Sequence, residues 1–277
     1  VSERIKNRPY SLRSKIPRSL LRGIFNHKPH IMMKTEILYG VHPVFEALKA
    51  GRREFFEVYM VREKDSGHYK DITGLLSLRK IPVKTVKPAQ MEQMTGSAFH
   101  QGIAAMVSEY PLAPFDDILN NIKPGVIDFL ILLDNMVDPQ NLGALVRTAL
   151  CVGAGGVVIT KDRSASPTPA VSKVSAGALE HISLSKTTNM INAMKEIKDK
   201  GLWIAGLDAM ADTPVYDCDF RSPIALVIGG EGKGIRPLVK SNCDFLVSIP
   251  QKKGISSLNA SVAGAVVMYE VFRQRDY

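Results

Sequence analysis

The sequence predicts an α/β protein, built on a mostly parallel sheet with helices on both faces and preceded by a smaller α/β unit. Three observations carry this. From residue 129 onward, short apolar runs alternate with helical stretches, the rhythm of a parallel sheet covered on both sides. The run Ile224-Ala225-Leu226-Val227-Ile228 is unbroken and ends at Gly229-Gly230, which suits a strand buried on both faces. Between Tyr110 and Gly125 the chain carries Pro111, Pro114 and Pro124, the composition of a connection between two units. A length of 277 residues accommodates two modest domains. Hydrophobic content of 45% and charge of 23% are ordinary for a soluble globular protein. No apolar run approaches the length of a membrane span.

Taken in order, residues 1–34 hold Pro9, Pro17 and Pro29 and show neither helical nor strand periodicity, so the segment is expected to be a basic disordered arm. Residues 35–110 form the small unit: a strand over 37–40, and a helix over 42–48 with Pro43 near its first turn. A strand over 56–61, a helix over 71–78, a strand over 83–86, a short helix over 89–94 and a strand over 103–108 complete it. Residues 111–127 form the linker. The second unit, 128–277, begins with a strand over 129–133, a helix over 141–151 and a strand over 156–160. Gly153-Ala154-Gly155 between the last two reads as a helix terminator. A helix over 171–179, a strand over 182–184, a helix over 189–200 and a strand over 202–207 follow. The chain closes with strands over 224–228 and 245–249 and a helix over 257–274.

The net charge of +9 is unevenly placed. Residues 1–34 hold nine basic side chains against Glu3 alone, while the remainder carries 27 basic and 26 acidic ones. The folded body is therefore almost neutral, and its net charge alone does not argue for a nucleic-acid partner. The arm has three readings: an RNA-binding extension, an organellar transit segment, or translated upstream sequence, since Met32-Met33 lies just before the first ordered-looking segment. Cys151, Cys218 and Cys243 are scattered and in no metal-ligand spacing, as expected of reduced thiols in a cytoplasmic protein that holds no metal.

The second unit lacks a dinucleotide fingerprint, a Walker phosphate loop and a nucleophile elbow. Chemistry must come from other residues. Glu231 sits in the glycine-rich turn Gly229-Gly230-Glu231-Gly232 at a strand's carboxyl end, where open α/β sheets bind ligands. Asn141 stands where a helix is expected to begin, as a capping residue would. Ser257 and Asn259 stand where the last helix begins, and Arg147 interrupts an apolar helix.

These stretches resemble the three motifs of the SpoU/TrmH family of RNA ribose 2'-O-methyltransferases. The first matches from Asp134 to Ala149, the second around Ile224 to Gly234, and the third from Phe245 through Ser257, Leu258 and Asn259. The segments around His42 and from Phe99 to Ala104, with His100 and Gln101, are similar to that family's small substrate-binding domain. The resemblance implies a carboxyl-terminal trefoil knot, which general chain-topology rules argue against. It implies S-adenosylmethionine as cofactor, held by Leu207, Gly229, Gly230, Ile249 and Leu258. It assigns the reaction to Asn141, Arg147, Glu231, Ser257 and Asn259. Arg147 is placed in the family as a base for the ribose hydroxyl; a guanidinium that is always protonated suits a phosphate grip or the developing alkoxide better. Glu231 is expected to orient Arg147 or a partner residue. One departure from the family is Gln251-Lys252-Lys253-Gly254, where glycine stands one place later than usual.

The implied activity is methyl transfer to a ribose 2'-hydroxyl of RNA, foremost a guanosine of large-subunit rRNA, with tRNA as the alternative substrate. A non-catalytic RNA-binding assembly factor would predict losses at Arg147, Glu231 or Asn259, none of which is lost. An oxidoreductase would predict the missing dinucleotide fingerprint. The resemblance also implies a homodimer.

Overall fold

The computed structural model describes residues 34–61, 67–123, 129–252 and 258–276. Residues 1–33 of the expected arm, and Ser257, lie outside them.

The first unit is a four-stranded sheet in the order β1-β4-β2-β3. Its strands are β1 (Thr35–Tyr39), β2 (Phe55–Met60), β3 (Val83–Thr85) and β4 (Ile103–Ser108). β4 pairs antiparallel with both β1 and β2, and β3 joins β2 in parallel. Helices α1 (Val41–Ala50) and α2 (Gly67–Leu78) belong to one face of this sheet, and α3 (Pro88–Thr95) to the other. Leu38, Val58, Ile103 and Val107 pack with Leu48, Ile72 and Leu76 from α1 and α2. Tyr59 and Ala104 point the other way, to Met91 of α3. The period of two along each strand sorts these side chains.

The expected linker contains a helix, α4 (Phe115–Asn120). Its Ile118 and Leu119 are buried in the core of the second unit. Phe115, Ile118 and Leu119 recur at helical spacing, a signal outweighed in the sequence by the flanking prolines.

The second unit is a six-stranded sheet, parallel throughout, in the order β10-β8-β9-β5-β6-β7. The strands are β5 (Phe129–Asp134), β6 (Gly156–Thr160), β7 (Leu184–Thr187), β8 (Trp203–Leu207), β9 (Ile224–Gly229) and β10 (Phe245–Val247). The helices between and after them are α5 (Pro139–Cys151), α6 (Pro169–Val174), α7 (Met190–Asp199), α8 (Pro237–Lys240) and α9 (Ala260–Asp276). Ile224, Leu226 and Ile228 of β9 enter one core with Leu145 of α5 and Val267 of α9. Ala225 and Val227 enter the other with Met194 of α7 and Val239 of α8. Both faces are covered, which explains why the strand reads as a continuous apolar run. β9 is inserted between β8 and β5, so the carboxyl ends of these three strands open side by side.

Several expected elements have other bounds, and two of them differ where the second unit meets the first. The helix expected over 171–179 stops at Val174 and resumes as a 3-10 turn, Ala178–Glu180, after Gly177 at φ 87°. Ala176, at φ 52°, leaves the helical conformation before it, and a Cβ at Gly177 would lie 2.6 Å from Glu46 Cβ on α1, so the close approach of the first unit leaves room only for glycine there. The break leaves Glu180 buried against Arg53 of the first unit, with Arg53 Nε donating at 2.7 Å and Nη2 at 3.0 Å. The strand expected over 182–184 begins instead at Leu184. Ile182 is used differently: its carbonyl accepts from Arg52 Nη1 and from Tyr110 Oη, both at 2.7 Å.

Candidate active site

The carboxyl end of β9 runs into Gly230 and Glu231, and the loop returns at once. Gly234 N donates to the Gly230 carbonyl at 3.1 Å. A Cβ on Gly229 would lie 2.1 Å from Gly234 C, and one on Gly230 would lie 2.2 Å from Asn135 O. Glycine is required at both positions for the loop to fold on itself and against the end of β5. Asp134, fully buried at that end, fixes the return. Its carboxylate accepts from Arg236 N and Nε, each at 2.9 Å, and from Nη2, while its carbonyl accepts from Gly230 N at 2.9 Å. In the sequence Asp134 stands only as the start of the first motif, with no role assigned, and Arg236 is not singled out; an aspartate ending an apolar strand was the available signal.

Glu231 is held by two carboxamides. Asn141 Nδ2 donates to Glu231 Oε1 at 2.8 Å, and Asn259 Nδ2 donates to the same oxygen at 2.8 Å. Asn259 Nδ2 also donates to Asn141 Oδ1 at 3.0 Å. Three residues from three separate motifs thus form one polar cluster. Asn141 is not the cap of its helix. Asp138 is, its side chain accepting from Gln140 N at 2.9 Å, and Pro139 opens the first turn. This frees the Asn141 carboxamide for Glu231. Asn259 does cap α9: its Oδ1 accepts from Ser261 N at 2.9 Å and Val262 N at 3.3 Å. The helix accordingly starts at Ala260, later than expected.

Beside this cluster lies a cleft of about 530 Å³, within the range of small-molecule sites, about 300–1,000 Å³. Leu207, Ile249 and Leu258 supply apolar walls, Gly229 and Gly230 an edge of bare backbone, and Glu231 and Asn259 the polar rim. All five residues expected to bind cofactor therefore meet in one place. Asp208, Ala209 and Met210 line it too, from the loop after β8. Asp208 is anchored by Lys240 Nζ at 2.6 Å, and that hydrogen bond draws its carboxyl below the usual range.

Arg147 stands apart. It is exposed on α5, and no ion pair joins it to Glu231 or to any other described residue. Of the two expectations for Glu231, orienting Arg147 or orienting another residue, the contacts within this chain are to the two asparagines. Among the described residues no group of His, Cys, Asp and Glu could hold a metal ion. His100 acts in a turn, Nδ1 accepting from Gly102 N at 2.9 Å. Gln101, at φ 57°, accepts from Lys173 Nζ of the second unit at 2.6 Å.

Two family models match this chain. Residues 128–269 match that of the SpoU rRNA methylase family. The chain belongs to the SpoU rRNA methylase family. Residues 37–113, within the first unit and the start of the connection after it, match the model described as RNA 2'-O ribose methyltransferase substrate binding. Among relatives of this SpoU-family chain, the TrmH-family protein YacO of Bacillus subtilis is 39% identical over 247 residues, covering 87% of this chain and 96% of that one. The 23S rRNA (guanosine-2'-O-)-methyltransferase RlmB of Shewanella oneidensis is 34% identical, covering 88% and 99%. The solved structure of the SpoU methyltransferase AviRb from Streptomyces viridochromogenes with AdoMet superposes with a TM-score of 0.74 at 26% identity, covering 87% of this chain and 91% of that one. This SpoU-family chain is an S-adenosylmethionine-dependent RNA methyltransferase.

Proposed function

We propose that this chain methylates the ribose 2'-oxygen of a guanosine in large-subunit rRNA. The observation that carries the reading is the cluster of Glu231, Asn141 and Asn259 at the rim of the apolar cleft. The end-to-end similarity to a 23S rRNA guanosine methyltransferase supports the substrate. When bound, S-adenosylmethionine supplies a methyl group on a sulfonium, already activated for transfer. Leu207, Ile249 and Leu258 would hold its adenosine, and the backbone of Gly229 and Gly230 permits close approach.

The chain's own task is to position the ribose and to ease loss of its proton. Glu231 keeps Oε1 occupied by two amide donors, so it serves as a fixed acceptor beside the cleft. Ser257 is assigned to substrate as well. Arg147, as a permanent cation, acts on the developing alkoxide or on an RNA phosphate. Its exposure leaves it open to RNA or to a partner subunit. The 35–110 unit would select the RNA, and the knotted 128–277 unit would carry out transfer. A crystal structure tracing residues 253–257 tests the knot.

A homodimer belongs to this reading. Val262 and Tyr269 of α9, and Val137 in the segment after β5, are exposed apolar side chains, of the kind a two-fold partner would cover. Sedimentation as an active species near 30.4 kDa would overturn it.

The experiment is transfer of labelled methyl from S-adenosylmethionine to large-subunit rRNA fragments and, in parallel, to bulk tRNA, followed by mapping of ribose methylation. Label on a guanosine 2'-oxygen of rRNA is expected. Label on tRNA alone moves the assignment to tRNA, and label on a base rejects the ribose chemistry.

A further inference from the structure

Next to the Glu231 cluster, at the carboxyl end of β6, the chain holds a basic loop that none of the roles above uses. It runs Lys161-Asp162-Arg163-Ser164-Ala165-Ser166-Pro167-Thr168. The loop is pinned on three sides. The Thr160 hydroxyl donates to the Asp162 carbonyl at 3.0 Å and lies 2.5 Å from Ser164 Oγ. Lys161 N donates to the Thr187 carbonyl at 2.8 Å, and Lys186 Nζ to Ser166 Oγ at 2.9 Å, both from the β7 side. Ala165 N donates to the Met136 carbonyl at 2.7 Å, which ties the loop to the segment following β5.

From this frame Lys161 and Arg163 extend as exposed side chains, and neither forms an ion pair with a described residue. Asp162 is the one acid of the loop, and Lys186 adds a further cation. Arg163 sits at φ 55°, a left-handed conformation that costs a residue with a side chain about 1–2 kcal/mol. Such strain persists where surrounding bonds impose it, and it concentrates at functional sites. Sheet order makes the position meaningful. β6 neighbours β5 and β5 neighbours β9, so the strand ends present Lys161 and Arg163, then Asn135 and Met136, then Gly230 and Glu231. Immediately after the loop, α6 carries Lys173, which contacts Gln101 of the substrate-binding unit. The loop thus connects the edge of the Glu231 cluster to the contact between the two units.

The geometry points to a phosphate site: Lys161 and Arg163 grip the RNA backbone beside the target nucleotide. This rests on the RNA-ribose reading above. A guanidinium pairs with phosphate through a planar fork, and a preset loop gives it a fixed direction. The cofactor is not the occupant, since the cleft is lined from β8, β9 and α9 and by no residue of this loop.

The test uses the full chain and a single-stranded or loop-containing fragment of large-subunit rRNA. RNA affinity is measured against salt for wild type, for Lys161→Gln with Arg163→Gln, and for Arg163→Lys. S-adenosylmethionine affinity and melting temperature are recorded alongside. Loss of two phosphate contacts should make the slope of log K against log salt shallower by about 1.4, or about 25-fold weaker binding at 0.1 M salt relative to a shared value at 1 M. Arg163→Lys should keep the wild-type slope, and cofactor affinity should not move. Should the double variant melt lower, Lys161→Gln alone is used, with an expected change of about 0.7. An unchanged slope overturns the inference. So does weakened cofactor binding with an unchanged RNA slope, which would give the loop to the cofactor. Wild type that binds RNA without methylating it defeats the ribose reading instead, while the slopes still decide the loop.

Discussion

Arg53 offers the sharpest test of how the two units are joined. Its side chain is fully buried and that of Glu180 nearly so. Arg53 Nε and Nη2 reach both oxygens of Glu180, while Nη1 donates to Glu36 Oε2 at 2.7 Å and to the Ser108 carbonyl at 3.2 Å. Glu180 also accepts from Ser172 Oγ at 2.8 Å. Burial works to lower the Arg53 pKa, and the two carboxylates together more than reverse that. Arg53→Met keeps the volume but leaves the Glu180 carboxylate buried with Ser172 alone. Removing one partner of a buried pair costs about 3–5 kcal/mol, a large share of a typical stability of about 5–15 kcal/mol. For a chain of this size that is a fall of roughly 10 °C in melting temperature. Adding Glu180→Gln removes the stranded charge and should recover at least half of the loss. Urea denaturation of the wild type and the two variants measures this. A loss under about 1 kcal/mol for Arg53→Met, the level of an exposed pair, would mean that Glu180 is solvated and that the first unit is not seated on the second as described.

Further outcomes follow from the site. Arg147→Ala should retain S-adenosylmethionine binding by calorimetry and lose methyl transfer by orders of magnitude; near-normal turnover would remove Arg147 from the reaction. Gly230→Ala would drive a Cβ against the Asn135 carbonyl, so cofactor binding should be lost while circular dichroism still reports a folded sheet. Asn259→Ala deletes the cap of α9 and one donor to Glu231, so stability should fall by about 1 kcal/mol and transfer should fall further than stability explains. Among the thiols, Cys151 is exposed, whereas burial pushes the Cys243 thiol up to about 12. At pH 8, Cys151 should react with an alkylating reagent while Cys243 stays a protected thiol until the protein unfolds, and mass spectrometry after brief labelling distinguishes them.

The class of fold and most of its elements are legible in the residue pattern, because period and punctuation are local properties. The apolar run ending at Gly229 could be little else than a doubly buried strand, and Ile103–Ser108 and Gly156–Thr160 are read to the residue. The motif resemblance fixed the family and gathered the cleft residues in advance. Tertiary structure decided what depends on who stands opposite. Asn141 reads as a helix cap until Asp138 is seen to hold that place and Glu231 to lie across from it. The helix expected through Leu179 gives way to a left-handed turn at Ala176 and Gly177, where α1 leaves room only for glycine, a proximity between residues more than a hundred positions apart. Arg53 and Glu180 are two ordinary charges in the sequence. They become a buried pair only when the two units meet, because desolvation is a property of the packed surroundings and not of the residues themselves.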